Sequence, residues 1–577
     1  MKVTVGHAIA AFLERCGVQA AFGVISIHNM PILDAIAARG AIRFVSARGE
    51  AGAASMADAC ARSTGTLGVA ITSTGTAAGN AAGGMVEALT AGTPLLHITG
   101  QIETPYLDRD LAYIHEAPDQ LTMLKAVSKN AWRVRSADTA LATFRQAVRC
   151  ALTAPSGPVS VEVPIDIQAE LIDLPEDLEP LTPQRIVPDA ASVARLADAL
   201  AAAKRPMLWL GGGARAASAA VARLVAMGFG VVTSTQGRGI VAEMDVRPQA
   251  DDHRRPPPEG DKETWGGPAS PCDRSLGAYN LQPPVEAFYG TCDAMLVVGS
   301  RLRGNETLKY KLKLPQPLYR IDADPEANGR CYTSRQFVCG DAALTLDALA
   351  DALQGRMNVD PSFGADLKRA HTQAVAALRD GLGPYAALVD AVQAAAGTRF
   401  NWVRDVTVSN STWGNRELRL PDPRAGVHAL GGGIGLGLAM AIGTAIGAAT
   451  YATGKKTLLL AGDGGFVLNL GELACAVQEK ADFTVVLMND KSYGVIKNIQ
   501  DAQYGGRRVY AELHTADYAL LAQSLQFEHR RAQRLADVPA LLEELARKPG
   551  PKMLEIDMLA IGSFKTAFAG PPVKAGA

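Results

Sequence analysis

The chain has 577 residues, of which 48% are hydrophobic and 20% charged, and its formal net charge is -1. That length is too great for one core and leaves room for three domains of ordinary size. A near-neutral chain of this kind excludes a polyanion-binding role, so neither nucleic acid nor a membrane surface is an expected partner.

The opening "MKVTVGHAIAAFLERCG" carries Glu14 and Arg15 where the apolar core of a signal peptide would have to continue, so no secretory signal is expected. Eight cysteines (16, 60, 150, 272, 292, 331, 339 and 475) are scattered without metal-ligand or CxxC spacing. They read as small residues of a reduced, cytoplasmic protein.

Up to residue 170, the apolar runs "AAFGVIS", "RFVSA", "LGVAITS", "PLLHITG" and "GPVSVEVP" alternate with helix-length stretches. Glu50 stands directly ahead of "AGAASMADACAR", a small-residue run that reads as a closely packed helix. A Pro-rich linker spans 174–190. A second block over 188–355 holds "KRPMLWLGGGAR", "GVVTSTQG", "DAMLVVGSR" and "PLYRIDADP". Within it, 244–274 is rich in Pro and charge and reads as an irregular surface loop. A third block over 370–562 contains "KTLLLAGDGG", "DFTVVLMND" and "KMLEIDML", and a loose tail follows. The rhythm predicts an α/β fold: three successive Rossmann-like domains, each a parallel sheet flanked by helices. The uncharged stretch 430–450 is long enough to span a membrane, but its glycines and the strand after it favour a buried helix.

The most specific signal is "GDGGFVLNLGELACAVQEKADFTVVLMNDKSYG" (462–494). Asp463 and Asp490 follow two strand-like runs and should emerge at the carboxyl ends of both, where such sheets bind ligands. Mg²⁺ takes octahedral oxygen ligands, and Asp463, Asp490 and the Ser492 carbonyl could supply the protein's share. Gly464 and Gly465 would let a diphosphate approach the backbone at a helix start.

This arrangement resembles the thiamine-diphosphate-dependent enzymes of the acetolactate synthase, benzoylformate decarboxylase and pyruvate oxidase group, and the acetolactate synthase large subunit in particular. The resemblance covers nearly the whole chain and implies a pyrimidine-binding, a central and a diphosphate-binding domain, in that order. Asp490 departs from the pattern, which often has Asn, but keeps an oxygen ligand. The resemblance implies that Glu50 bonds N1′ of the cofactor's aminopyrimidine, and that the small residues behind it let the helix and the cofactor come close. It also implies that Gly432 and Ile434, in "GGIGLGL", accept from the 4′-amino group and wedge the bent cofactor. Ser411 and Thr412 fall where relatives contact phosphate, and Tyr493 and Gly494 complete the cofactor-binding set. His28 and His115 fall on the substrate side, where they would relay protons, and Ser73 or Thr74 could bind a carboxylate there.

The reaction implied is decarboxylation of a 2-oxo acid, carboligation with an aldehyde or ketone, or both, through a C2 ylid and an enamine. The site is expected between subunits of a homodimer or homotetramer. The strings "LGGGAR" and "GSRLRGNETLKY" leave FAD, an ADP group or nothing in the central domain, and the imperfect Arg pattern favours nothing. Two rivals follow: an acyl-CoA lyase or decarboxylase of the oxalyl-CoA type, and a cofactor-binding but catalytically silent regulatory protein.

Overall fold

The computed structural model describes residues 2–244 and 271–570. Of the stretch expected to be irregular, 245–270 lies outside the described residues, and Pro271–Arg274 form a short 3-10 turn.

Two compact units form. The first comprises residues 2–185, Gly381–Asn415 and Arg424–Gly570. It contains two six-stranded sheets. One consists of β1 (Ala20–Gly23), β2 (Arg43–Ser46), β3 (Gly68–Thr72), β4 (Leu95–Gln101), β5 (Asn130–Arg133) and β6 (Val159–Pro164). Its order is β2-β1-β3-β4-β6-β5, with every pair parallel. A small antiparallel ribbon, Lys2–Thr4 with Leu171–Asp173, lies apart from it.

The second unit, Ile186–Asp380 with Arg416–Pro423, is built on five parallel strands. These are β7 (Pro206–Leu210), β8 (Gly230–Thr233), β9 (Ala294–Val298), β10 (Leu318–Asp322) and β11 (Gln336–Cys339), in the order β8-β7-β9-β10-β11. Within this unit the Glu417 carboxylate accepts from Arg379 at 2.9 Å and from the Tyr279 hydroxyl.

The other sheet of the first unit has β12 (Phe400–Arg404), β13 (Gly426–His428), β14 (Lys456–Gly462), β15 (Phe483–Asn489), β16 (Glu528–Ala532) and β17 (Pro551–Asp557). Its order, β13-β12-β14-β15-β17-β16, repeats that of the first sheet strand for strand, again all parallel. The predicted α/β class with parallel sheets is therefore correct. Runs such as "PMLWL" and "AMLVV" are buried along their whole length, as parallel strands covered by helices on both faces must be.

Helix α1 (Glu50–Thr64) joins the two six-stranded sheets into one core. Its small residues, expected from the sequence to let a cofactor come close, pack closely against helices. A Cβ on Gly84 of α2 (Ala82–Ala91) would sit 2.6 Å from the Ala54 Cβ. One on Gly443 of α3 (Gly437–Thr450) would sit 2.1 Å from the Met56 carbonyl oxygen. Small residues let the backbones approach, and dispersion contacts replace side-chain bulk. Helix α3 is the buried helix expected in 430–450, but it starts at Gly437 because Gly432 and Gly435 take left-handed backbone, φ +80° and +87°. Among the described residues no helix is long and apolar enough to cross a membrane.

Candidate active site

Strands β13 and β14 lie on opposite sides of β12. The carboxyl ends of β12 and β14 therefore open a crevice at a topological switch point, where α/β sheets bind ligands. A cavity of about 670 Å³ occupies it, within the size range of small-molecule sites. Residues 406–409 line it beyond β12, 462–465 around the end of β14, and Met488 and Asp490 at the end of β15. Gly432, Ile434 and the first turn of α4 (Gly494–Gln503) form further walls.

Asp463 and Asp490 meet in this cavity. The Asp490 N–H lies 3.4 Å from Asp463 Oδ1, and Asp463 Oδ2 is buried with no hydrogen-bond partner. Burial, reinforced by the Asp490 charge, pushes the Asp463 carboxyl up to about 7. Burial raises Asp490 as well. Paired acids in this state favour a cation between them. The Ser492 N–H donates to Asp490 Oδ1 at 3.1 Å, and Ser492 Oγ is buried without a partner. Among the described residues no group of three or more His, Cys, Asp or Glu could hold a metal. An ion at this pair would thus need backbone, water or phosphate oxygens as well.

Close approach shapes the rest. A Cβ on Gly464 would come within 2.8 Å of the Tyr493 ring, and one on Gly465 within 2.8 Å of Asp405 Oδ2. One on Gly494 would reach Asp490 Oδ2 at 2.6 Å. Ile434 projects into the cavity with 40% of its surface exposed. Asp405, just beyond β12, accepts the N–H of Gly435 at 3.0 Å and of Val406 at 2.7 Å. Burial pushes this carboxyl up to about 6 despite those bonds. At the rim, Arg508 pairs bidentately with Asp501 at 2.8 and 2.7 Å, and Lys497 is half-buried.

The first sheet opens the equivalent crevice between β1 and β3. His28 follows β1, and its ring meets that of His115 edge-on, 5.2 Å between centroids at 77°. A Cβ on Gly100 would lie 2.3 Å from the His28 carbonyl oxygen, and one on Gly75 2.2 Å from that of His115. Burial lowers the His28 pKa, the neighbouring His115 lowers it further, and Glu103 opposes both. Ser73 Oγ is buried without a partner, whereas the Thr74 hydroxyl is taken up by Gln101 and Gln120 at 2.9 Å each. Glu50, the half-buried first residue of α1, accepts from Asn80 Nδ2 at 3.1 Å. The turn ahead of it is held by Glu472, both of whose oxygens lie 3.1 Å from the Arg48 N–H.

Comparison with known proteins falls on the same two sheets. The family model "Thiamine pyrophosphate enzyme, N-terminal TPP binding domain" matches residues 3–123, and "Thiamine pyrophosphate enzyme, C-terminal TPP binding domain" matches 407–556. The chain belongs to the thiamine pyrophosphate enzymes. It is 28% identical to the "Probable 2-ketoarginine decarboxylase AruI" of Pseudomonas aeruginosa, over 86% of this chain and 84% of that protein. It is 25% identical to "Acetolactate synthase isozyme 1 large subunit" of Escherichia coli, over 96% and 94%. With "Acetolactate synthase 2, chloroplastic" of Zea mays the identity is 24%, over 94% and 84%. As a thiamine pyrophosphate enzyme, the chain is a decarboxylase or carboligase that binds thiamine pyrophosphate (thiamine diphosphate).

In this thiamine pyrophosphate enzyme, Gly432, Ile434, Asp463, Gly464, Gly465, Asp490, Ser492, Tyr493 and Gly494 all line the one cavity. Ser411 and Thr412 do not. They lie in an irregular helical turn, Asn410–Gly414, where the Thr412 hydroxyl donates to the Val408 carbonyl at 2.9 Å. Thr407 and Ser409 line the cavity in their place. Glu50, His28 and His115 do not line it either. Sequence reasoning missed Asp405, Lys497 and Glu472, because a lone charged residue in a helix or loop reads as solvated.

Proposed function

We propose that this enzyme uses thiamine diphosphate and Mg²⁺ to decarboxylate a small 2-oxo acid, with carboligation to an aldehyde or ketone as the alternative fate of the product. We further propose that two copies of the chain build each site. The carrying observation is the Asp463–Asp490 pair at neighbouring strand ends, with an unpartnered carboxylate oxygen beside glycine backbone open to a phosphate. That donor set suits Mg²⁺: two carboxylates, the Ser492 carbonyl, and room for diphosphate oxygens.

Thiamine diphosphate, when bound, supplies a thiazolium carbon that adds to the 2-oxo carbonyl and an electron sink as CO₂ leaves. The chain's own part is binding and proton handling. The N–H groups at the start of α4 would hold the diphosphate. Ile434 would pack against the bound cofactor and exclude water from that contact. Glu50 holds a proton at the aminopyrimidine nitrogen. His28, kept neutral by burial and by His115, accepts a proton on the substrate side, and the exposed His115 exchanges it with solvent.

Since Glu50 and the histidines do not line their own cavity, they would serve the cavity of a partner copy. The exposed apolar residues Ile25, Ile27 and Ile114 near the histidines, and Ile434, Leu468 and Ile496 near the cavity, support such a covering. Cysteines 16, 60, 150, 292, 331, 339 and 475 are free, as a reduced cytoplasm would keep them. The relative named for 2-ketoarginine decarboxylation makes CO₂ release the first outcome to assay.

Complementation tests the reading. Glu50→Gln and Asp463→Asn chains, each inactive alone, are unfolded together, refolded as a mixture and assayed for CO₂ release from 2-oxo acids. Random mixing should restore about a quarter of the wild-type rate, because half of the dimers carry one intact site. A mixture that stays as inactive as its parts would place each site within a single chain.

A further inference from the structure

The loop that brings Gly432 and Ile434 to the cavity is held at its far end by Asp405 and at its near end from α2, by Glu87. This side chain is 2% exposed. Its Oε1 accepts the N–H of Leu430 at 2.6 Å, and its Oε2 accepts that of Gly431 at 2.7 Å. The next residue, Gly432, and then Ile434 line the cavity. At 431 a Cβ would stand 2.9 Å from Glu87 Oε2, so any other residue there would displace that carboxylate.

Glu87 is itself gripped by Arg62 of α1, which donates to Glu87 Oε1 at 2.9 Å and to Asp58 Oδ1 at 2.9 Å. The same guanidinium donates to the His428 carbonyl at 2.7 Å. Arg62 and Asp58 are as buried as Glu87. Burial alone would lower the Arg62 pKa, but Asp58 and Glu87 outweigh it and keep the cation. Arg62 and the two backbone N–H groups of the loop share the Glu87 carboxylate between them. The ion pair and the loop therefore satisfy one another, and neither can move without stranding a buried charge.

We propose that Glu87, aimed by Arg62, is a positioning residue for the cofactor-facing loop: it fixes the Leu430 and Gly431 peptides and so presets Gly432 and Ile434 before thiamine diphosphate arrives. This rests on the cavity being the thiamine diphosphate site. Because α1 carries both Arg62 and Glu50, the cluster also ties that loop to the helix bearing the second candidate group. Asp58 shares the ion pair, but the Leu430 and Gly431 N–H groups go to Glu87, which makes Asp58 the control.

The experiment is hydrogen–deuterium exchange on the full-length apoprotein, following a peptide over 429–436 and a reference peptide over 456–462. It is paired with calorimetric titration of thiamine diphosphate in Mg²⁺. Glu87→Gln keeps the shape but turns an amide donor toward a loop N–H or toward Arg62. It should speed exchange in 429–436 and weaken thiamine diphosphate binding, each about tenfold, the loss expected for a charge-assisted hydrogen bond. The reference peptide should keep its protection. Asp58→Asn should lower the melting temperature comparably while leaving both readouts near wild type. Should Glu87→Gln not fold, Glu87→Asp keeps the charge but cannot reach both N–H groups, and the same loop-specific loss is expected. Unchanged exchange in 429–436, or equal increases in the Glu87 and Asp58 variants, would overturn the proposal. A wild-type chain that bound no thiamine diphosphate would overturn the cofactor reading beneath it.

Discussion

Ile434 gives the most direct measure of whether the cavity seats the cofactor. In the single chain it leaves 40% of its surface exposed, facing the cavity. Complete burial of such a side chain contributes about 1.5–3 kcal/mol. If the cofactor covers the exposed part, that two-fifths contributes about 0.6–1.2 kcal/mol to binding. Ile434→Ala should therefore weaken thiamine diphosphate binding about three- to eightfold. The change enlarges a space that is already open, so the apoprotein should lose less than the about 2 kcal/mol of a core truncation. Titration calorimetry in Mg²⁺ gives the affinity, and denaturant unfolding of the apoprotein gives the stability. Ile434→Met, which conserves volume, should bind almost as wild type does. An Ile434→Ala chain that bound thiamine diphosphate as tightly as wild type, but unfolded more easily, would make Ile434 a packing residue and refute the reasoning.

Asp463→Asn removes a buried carboxylate that faces Asp490 with one oxygen unpartnered. The apoprotein should melt at a higher temperature, and Mg²⁺-dependent binding of thiamine diphosphate should vanish; both are read by calorimetry. His97, wholly buried in β4 and bonded to Thr72 and Ser160, has its pKa lowered from 6.5 to about 4 by burial. A histidine kept neutral by the fold contributes stability that is present above pH 6.5 and lost as pH falls to about 4, about 3 kcal/mol across that window. His97→Gln should flatten unfolding free energy against pH in that range. Gly443→Ala puts a methyl group 2.1 Å from the Met56 carbonyl oxygen and should cost at least about 1–3 kcal/mol in denaturant unfolding, because backbone cannot yield as a side chain can.

The strands that carry the site were legible because parallel strands, covered on both faces, must be continuous apolar runs. "KTLLLAG" and "FTVVLMN" are such runs, and their carboxyl ends place Asp463 and Asp490. The strands that escaped notice are mostly edges. "NAWR", "GVH" and "EHRRA" lie at the borders of their sheets, where water or charge replaces a neighbour and the apolar run is not required. The exception is "FNWVR", β12, which is internal and fully buried. Its Asn401 and Arg404 break the run, and Arg404 Nη1 donates to the Gly414 carbonyl and to Asn415 Oδ1, partners that no local pattern announces. Ser411 and Thr412 failed for a related reason: a hydroxyl's direction depends on the turn, and here Thr412 bonds the chain behind it.

The same logic applies to Glu50 and the small-residue run behind it. A small-residue run permits close approach without naming what approaches. In the fold, α2 and α3 fill that space, through Gly84 and Gly443, and the helix is committed to protein along its length. Only its first turn is left for a ligand, and there Glu472 fixes the preceding peptide while Asn80 takes one carboxylate oxygen. The two six-stranded sheets share one strand order, so each opens its own crevice at the carboxyl ends of its first and third strands. On the proposed reading, Asp463 and Asp490 at one crevice and Glu50, His28 and His115 on the side of the other divide one chemistry between two places. Dimerisation that sets one copy's first crevice against its partner's second would reunite them. The buried Asp58–Arg62–Glu87 cluster joins α1, which carries Glu50, to the loop that carries Gly432 and Ile434, and its charges cannot be separated without leaving one unpaired in the core.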